Sequence, residues 1–207
     1  KHVVNCAGLY ADHVAHDFGF GQGLTILPFK GVYLKYSGSR LRLPMHIYPV
    51  PNLANPFLGV HYTVTVDGTI KIGPTAIPAF WRENYQGLTG FRFLEFLQIV
   101  WLECRLFATN AFGFRGLALE EFRKYSSRYF KNLAAKLVRQ MDAPGFDHWS
   151  TPGIRAQLLD TRSLKLVQDF VIQGDAQSTH VLNAVSPGFT CSFPMARYVV
   201  DKIQSAL

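Results

Sequence analysis

An arginine and a histidine are the side chains in this sequence whose types and positions best suit binding an anion and accepting a proton. Arg155 lies in Gly153–Leu159 between Ile154 and Ala156, which places its guanidinium on one face of a half-buried strand. The planar fork of an arginine matches the two oxygens of a carboxylate. His61 lies in another strand-like run, and a neutral imidazole accepts a proton near pH 7. A surface ion pair for Arg155 and a hydrogen-bonded sheet position for His61 are the structural alternatives.

Other polar side chains near these positions are weaker candidates. Tyr48 follows Ile47 and precedes Pro49, so a stiffened segment presents its phenol, although packing in the core or at an edge strand explains the pattern at least as well. His46 is a second, weaker histidine candidate. Lys30 stands beside a glycine and is compatible with a role in a binding cavity or with a purely structural one.

Composition limits the class of protein. The chain has 207 residues, 48% of them hydrophobic and 17% charged, which is typical of a globular protein with one large domain or two small ones. No apolar run is long enough to span a bilayer. The net charge of +7 comes from dispersed lysines and arginines, which indicates an ordinary basic surface rather than a nucleic-acid-binding protein. We expect a cytoplasmic protein, with contact to the inner membrane as the alternative.

The three cysteines, Cys6, Cys104 and Cys191, are far apart and form no metal-binding or disulfide pattern. Because each lies among apolar residues, we expect buried thiols. We expect no metal site.

The periodicity of the chain changes several times, which predicts an α+β fold. A strand at His2–Cys6 leads through Ala7-Gly8 into a helix over 9–18, and short strand-like runs separated by turns follow from Leu27 to Ile77. The turn Asp67-Gly68 predicts a hairpin. Helices are expected over Gly90–Thr109, Ala118–Gln140 and Phe193–Ala206, strands over 153–159 and 166–173, and a loop over 182–190. The aromatic residues of the first long helical region are expected to pack in the core; they are Phe91, Phe93, Phe96, Trp101 and Phe107.

Several segments together resemble a known family. In chain order they are VVNCAGLYAD, PFKGVYLKY, IYPVP, FLGVHYTVTVDGTIKIGP, PGIRAQ and HVLNAVSPGFT. This order is similar to that of L-2-hydroxyglutarate dehydrogenases and oxidases, which belong to the FAD-linked superfamily that includes D-amino-acid oxidase and glycine oxidase. NCAG and PFKG are common to the superfamily, whereas the long GVHYTVTVDG segment with GIRAQ is more specific to the hydroxyglutarate branch.

The resemblance implies a split fold. Residues 1–26 would be a late strand and helix of an α/β FAD-binding domain, residues 27–162 an antiparallel or mixed-sheet substrate-binding domain with a helical insertion over about 80–142, and residues 163–207 the returning FAD-domain segment. The glycine-rich βαβ unit that opens this superfamily is absent from the sequence. With the strand that begins at His2 and no initiator Met, this predicts a fragment, with a mature processed protein as the alternative. Unpaired sheet edges in a fragment predict self-association.

The resemblance also assigns roles to residues. His61 would be the catalytic base, and Arg155, Tyr48 and His46 would bind a small 2-hydroxy acid. The residues that would contact FAD are Ala7, Gly8, Ser186, Pro187, Gly188, Phe189 and Thr190. Electrons would pass to oxygen or to a membrane quinone. The alternative functions are a non-catalytic binding or assembly subunit with the same fold, and a related amino-acid or amine oxidase.

Overall fold

The computed structural model describes residues 1–50, 57, 59–185 and 188–206. Its strands are β1 (Val3–Asn5), β2 (Leu24–Gly31), β3 (Leu34–Tyr36), β4 (His61–Val64), β5 (Ile70–Gly73), β6 (Ile77–Pro78), β7 (Phe146–Trp149), β8 (Gly153–Asp160), β9 (Lys165–Leu166), β10 (Val171–Gly174) and β11 (Ser178–Asn183). Its α-helices are α1 (Ala11–Asp17), α2 (Phe93–Thr109), α3 (Phe114–Arg123), α4 (Ser127–Ala135) and α5 (Ser192–Ala206). The predicted mixture of helices and antiparallel sheets is confirmed.

The chain divides into two compact units. The first comprises Lys1–Pro28 and Ala156–Leu207, and the second comprises Phe29–Arg155. Strands β2 and β8 carry the chain from one unit to the other. The assignment of FAD-binding and substrate-binding roles to segments of the chain stays a prediction.

The first unit is built on a three-stranded sheet in the order β1-β11-β10. Strand β1 runs parallel to β11, with Asn5 opposite His180, and β10 runs antiparallel to β11. Helix α1 buries Ala11 and Ala15, which lie one turn apart on the same side of the helix. Its buried Asp12 accepts hydrogen bonds from the Thr25 hydroxyl at 3.0 Å and the Ile26 N–H at 2.8 Å, which ties α1 to β2.

The second unit is built on a four-stranded antiparallel sheet in the order β4-β5-β3-β7. Each of these strands contributes a fully buried side chain to one core: Tyr62, Ile72, Leu34 and Phe146. Helix α4 adds Phe130 and Ala134 to the same core. The predicted hairpin at Asp67-Gly68 is confirmed, with Gly68 at φ +80° in the turn between β4 and β5.

Several predicted element boundaries are wrong. The single helix expected over Ala118–Gln140 is divided into α3 and α4, because the Ser126 hydroxyl accepts the Tyr129 N–H and begins a new helix there. The strand expected over 166–173 is divided between β9 and β10. The Asn183 side chain donates to the Val167 and Asp169 carbonyls at 3.0 and 2.7 Å, holding the intervening chain outside the sheet.

Other predictions from the sequence also differ from the structure. Strands β2 and β7 and most of β11 have no polar–apolar alternation and were not predicted. The run from His46 to Val50 forms only one bridge, between Ile47 and Tyr62. The expectation of buried thiols is wrong, because Cys6 and Cys104 are exposed and Cys191 is partly exposed. Most of the aromatic residues assigned to the core are exposed as well; these are Phe91, Phe93, Trp101 and Phe107.

Within the part of the chain that the structure describes, no helix is long and apolar enough to cross a membrane. The same residues contain no group of His, Cys, Asp or Glu side chains arranged to hold a metal ion.

Candidate functional site

One sheet face of the second unit brings together three of the residues selected from the sequence. Ile47 and Tyr62 exchange backbone hydrogen bonds at 3.1 and 2.9 Å. Because side chains alternate along extended chains, the neighbours of this pair point to the other face. His46, Tyr48 and His61 therefore share a face, while Tyr62 is turned into the core.

His61 is held in one tautomer. Its Nδ1 lies 3.0 Å from the carbonyl oxygen of Gly59, and since a carbonyl only accepts, Nδ1 carries the proton. Nε2 is then the unprotonated nitrogen. The side chain is 7% exposed, and burial lowers its pKa; the hydrogen bond to Gly59 opposes that shift, while His46 and Lys71 add to it. His61 is therefore a neutral imidazole with an acceptor nitrogen at neutral pH.

Aromatic side chains surround the His61 ring. The Tyr48 ring stacks on it with centroids 4.4 Å apart, and the Tyr33 ring meets it edge-on at 6.4 Å. The Lys71 ammonium lies 4.4 Å from the centre of the Tyr33 ring. His46 contacts Tyr48 at 6.3 Å between centroids, and its Nδ1 accepts the Val64 N–H at 3.0 Å. The result is a cluster of aromatic rings around one proton acceptor, His61 Nε2.

Arg155 lies on β8 beside an aromatic ring. Arg155 as a whole is exposed, its guanidinium carbon is 5.3 Å from the centre of the Phe57 ring, and partial burial of the guanidinium lowers its pKa. Among the described residues, no carboxylate pairs with it. An exposed guanidinium that has no acidic partner among the described residues can bind the carboxylate of a ligand.

Lys30 is hydrogen-bonded to the side-chain amide of Asn84. Its ammonium donates to Asn84 Oδ1 at 3.0 Å, and burial lowers its pKa. The sequence did not identify Asn84, Tyr33, Lys71 or Phe57. For Tyr33 and Lys71, the only signal in the sequence was the alternation of polar and apolar residues around them. This signal could not place them near His61, because that proximity depends on strand pairing.

In the first unit, a short turn follows β1. Gly8 has φ +56°, a left-handed conformation that favours glycine, and no atom lies within 4 Å of the position a Cβ would take. The Ala7 N–H donates to Asn5 Oδ1 at 3.0 Å. The turn thus presents open backbone that a flat ligand can approach closely.

Asn5 is the residue that holds this turn, and the sequence analysis did not identify it. It is buried, and its amide nitrogen donates to the Ala11 carbonyl at 2.8 Å and to His180 Nδ1 at 3.1 Å. His180 is fully buried and contacts the Ser178 hydroxyl through Nε2 at 3.0 Å. Burial lowers the pKa of His180, although Asp175 opposes this, so the pair forms a neutral hydrogen-bonded support.

The second backbone segment of this unit leads into α5. The Gly188 N–H donates to the Val185 carbonyl at 2.6 Å, and a Cβ on Gly188 would lie only 2.8 Å from that oxygen. Phe189 is exposed, and Thr190 is exposed beside it. The predicted contacts at Ser186 and Pro187 lie outside the described residues.

A family model described as FAD dependent oxidoreductase matches residues 1–202. The chain belongs to the FAD dependent oxidoreductase family. The predicted family and the FAD dependence of that family are thereby confirmed.

The FAD dependent oxidoreductases most similar to this chain include proteins named L-2-hydroxyglutarate dehydrogenase. The chain is 37% identical to the mitochondrial protein of Nematostella vectensis over 98% of its own length and 45% of that protein's. It is 32% identical to the protein of Escherichia coli K12, with 99% and 48% covered, and 33% identical to the human mitochondrial protein, with 99% and 44% covered. The chain thus spans about half the length of the curated relatives it matches.

A solved structure shares the fold of this FAD dependent oxidoreductase chain. Dithionite-reduced L-alpha-glycerophosphate oxidase from Mycoplasma pneumoniae, with FAD bound, has a TM-score of 0.62 and 18% identity. The likeness covers 99% of this chain and 43% of the oxidase. At that identity it supports the fold alone.

Replacing Gly188 with alanine is expected to weaken flavin retention. The new methyl group would meet the Val185 carbonyl oxygen at 2.8 Å, so the loop must shift, at a cost of about 1–3 kcal/mol. The ratio of flavin to protein absorbance after gel filtration of the full protein measures the effect. Gly116→Ala is the matched control, because no atom lies within 4 Å of its Cβ position. Equal flavin content in both variants would exclude a cofactor role for Gly188.

Proposed function

We propose that the full protein oxidises a small 2-hydroxy acid of the L-2-hydroxyglutarate type, with FAD as its cofactor. Membership of the FAD dependent oxidoreductase family and the names of the similar proteins support this reading. The observation that carries it is the state of His61. A buried neutral imidazole with its second nitrogen unprotonated can act as the general base that alcohol oxidation needs.

Each site residue has a separate role in the proposed oxidation. When bound, FAD supplies a two-electron acceptor for the hydride that leaves C2 of the substrate. His61 Nε2 takes the hydroxyl proton as the C2–H bond breaks and the C2–O bond becomes a carbonyl. Arg155 holds a substrate carboxylate through its guanidinium fork, which fixes the position of C2. Tyr48 and His46 lie on the face of His61 and contact the substrate.

The first unit is proposed to carry the cofactor contacts. The open backbone at Ala7-Gly8 fits the close approach of a flat ring system, because Gly8 has no side chain in that space. Gly188, Phe189 and Thr190 form the second contact segment, together with Ser186 and Pro187. In this proposal the first unit is part of a split FAD-binding domain and the second unit binds the substrate.

The remaining partners follow from the same proposal. The proposed electron acceptor is oxygen or a membrane quinone. A cytoplasmic location with contact to the inner membrane suits the quinone. Strand β1 lies at an edge of its sheet, with Val3 and Val4 exposed, so self-association through this edge is also proposed.

Anaerobic flavin reduction by the purified full protein tests the substrate class. We expect L-2-hydroxyglutarate to bleach the flavin band, with much slower bleaching by the D isomer. Glycine and D- and L-amino acids are the comparison substrates, because they distinguish an amino-acid oxidase. Reduction by an amino acid but not by a hydroxy acid would contradict the proposal, as would a full protein that binds no flavin.

A further inference from the structure

Lys71 lies on the same sheet face as His61. In β5, Ile70 and Ile72 pack in the core, so the side chain of Lys71 between them points to the other face. In the register of β4 and β5, His61 stands opposite Gly73. Lys71 is therefore a diagonal neighbour of His61, at a spacing that long side chains can bridge.

The ring of Tyr33 lies over Gly73, next to both of these side chains. A Cβ on Gly73 would come within 2.7 Å of the ring, so the absence of a side chain there makes room for it. The ring meets His61 edge-on at 6.4 Å between centroids, and the Lys71 ammonium lies 4.4 Å from the ring centre. One aromatic ring thus contacts both the proposed base and a cation.

The positive charge of Lys71 has no acidic partner in the part of the chain that the structure describes. No carboxylate there lies within ion-pair distance of its ammonium. Its direct cross-strand neighbours are Lys35 on β3 and Thr63 on β4, so neither side offers a carboxylate. A partly exposed ammonium with a hydroxyl side chain beside it is suited to binding an anion.

The charge of Lys71 acts on His61. Burial is the largest cause that lowers the pKa of His61, and the positive charge of Lys71 adds to that shift. Because interactions between charges weaken with distance and are screened by solvent, this effect requires the ammonium to be near the imidazole. A small anion whose hydroxyl group meets His61 is therefore within range of the same charge.

We propose that Lys71 binds the second carboxylate of a dicarboxylic 2-hydroxy acid and so selects it over acids with one carboxylate. This rests on the proposed function, in which His61 accepts the hydroxyl proton and Arg155 holds the carboxylate next to C2. The carboxylate at the far end of the substrate then pairs with the Lys71 ammonium, and Thr63 adds a hydroxyl donor. An acid with a methyl group in that place leaves the ammonium without an anion, which disfavours it.

Calorimetric titration of the flavin-loaded full protein tests this selection without any oxidation. Glutarate has two carboxylates and pentanoate has one, on chains of equal length that carry no hydroxyl group. We expect the parent protein to bind glutarate more tightly, and Lys71→Met to weaken glutarate binding by about 10- to 100-fold, the size of a lost charged hydrogen bond. Pentanoate binding is expected to stay unchanged, because methionine keeps the apolar stem against Tyr33.

Steady-state kinetics extend the comparison to the reaction. In Lys71→Met, the ratio of kcat/KM for 2-hydroxyglutarate to that for 2-hydroxypentanoate is expected to fall by about 10- to 100-fold. Lys71→Arg is expected to keep most of this ratio, because it retains the positive charge. Lys35→Met is the matched control. Lys35 is exposed on the same face but lies on β3, two strands from His61, so the ratio is expected to be unchanged.

The proposal is overturned if Lys71→Met weakens glutarate and pentanoate binding equally, or changes neither. It is also overturned if Lys35→Met lowers the substrate ratio as much, since the positive charge of the whole face would then make the selection. The proposed function fails separately. A protein that binds glutarate through Lys71 but oxidises no 2-hydroxy acid would contradict that function alone, whereas oxidation of 2-hydroxyglutarate with an unchanged ratio in Lys71→Met would contradict only the role of Lys71.

Discussion

Replacing His61 with glutamine is expected to slow flavin reduction by the 2-hydroxy acid by about 10²- to 10⁴-fold, the contribution of a positioned general base. The amide of glutamine can still donate to the Gly59 carbonyl but cannot accept the substrate proton. The loss is therefore expected in the rate of the chemical step rather than in substrate binding. Stopped-flow measurement of flavin reduction at saturating substrate, without oxygen, isolates that step.

The pH dependence provides a second test of His61. The base acts only when unprotonated, and burial lowers its pKa from the ordinary value of 6.5. The rate of the parent protein is therefore expected to be constant at neutral pH and to fall only as the pH drops through the lowered pKa. The His61→Gln variant is expected to lose this acid limb.

His46→Gln is the matched comparison. His46 shares the sheet face but is exposed, and its Nδ1 is occupied by the Val64 N–H. We expect its effect to fall mainly on KM, with the acid limb unchanged. If the His46 variant lost the limb and the His61 variant kept it, the role of base would pass to His46.

Replacing Arg155 with methionine is expected to reduce kcat/KM for the hydroxy acid by roughly 150-fold, which corresponds to about 3 kcal/mol for a lost charged hydrogen-bonding fork. Methionine keeps much of the apolar stem beside Phe57 and removes the positive charge. Steady-state kinetics give the size of the effect, and the split between kcat and KM shows how far the carboxylate contact also orients C2.

Lysine at the same position separates charge from geometry. Arg155→Lys keeps one positive charge but offers no planar fork, so we expect partial recovery only. Arg128→Met is the control for removing a positive charge, because Arg128 is exposed on α4.

A modified substrate tests whether Arg155 acts on the carboxylate. An analogue with its carboxylates replaced by amides should react slowly with the parent protein, and Arg155→Met should make it no slower. If the variant lost as much activity with the amide as with the acid, Arg155 would act on the fold or the flavin and not on the carboxylate.

The two proposed roles have different physical origins. The proposed role of His61 requires a neutral imidazole, which burial favours, and the Gly59 carbonyl determines which ring nitrogen is unprotonated. Arg155 stays charged, and it depends on lacking an acidic partner within the described residues. Substitutions that exposed His61 or placed a carboxylate near Arg155 would therefore impair the site without removing either residue.

The amino-acid sequence was sufficient to indicate the family and part of the local structure. The order of the motifs indicated the family, which the family match confirmed. The Asp67-Gly68 turn predicted the hairpin that the structure has. The roles of His61 as a base and of Arg155 as a carboxylate-binding residue stay predictions. Each of these depends on a residue and its near neighbours in the chain.

Only the tertiary structure decided the tautomer of His61, the shared face with Tyr48 and the support of the Ala7-Gly8 turn. Asn5 and His180 are 175 positions apart, so no local pattern could pair them. The aromatic residues of α2 were predicted to pack in the core, yet Phe93, Trp101 and Phe107 are exposed. Hydrophobic periodicity indicates which side chains avoid water, whereas long-range packing determines which of them are shielded from it by another part of the protein.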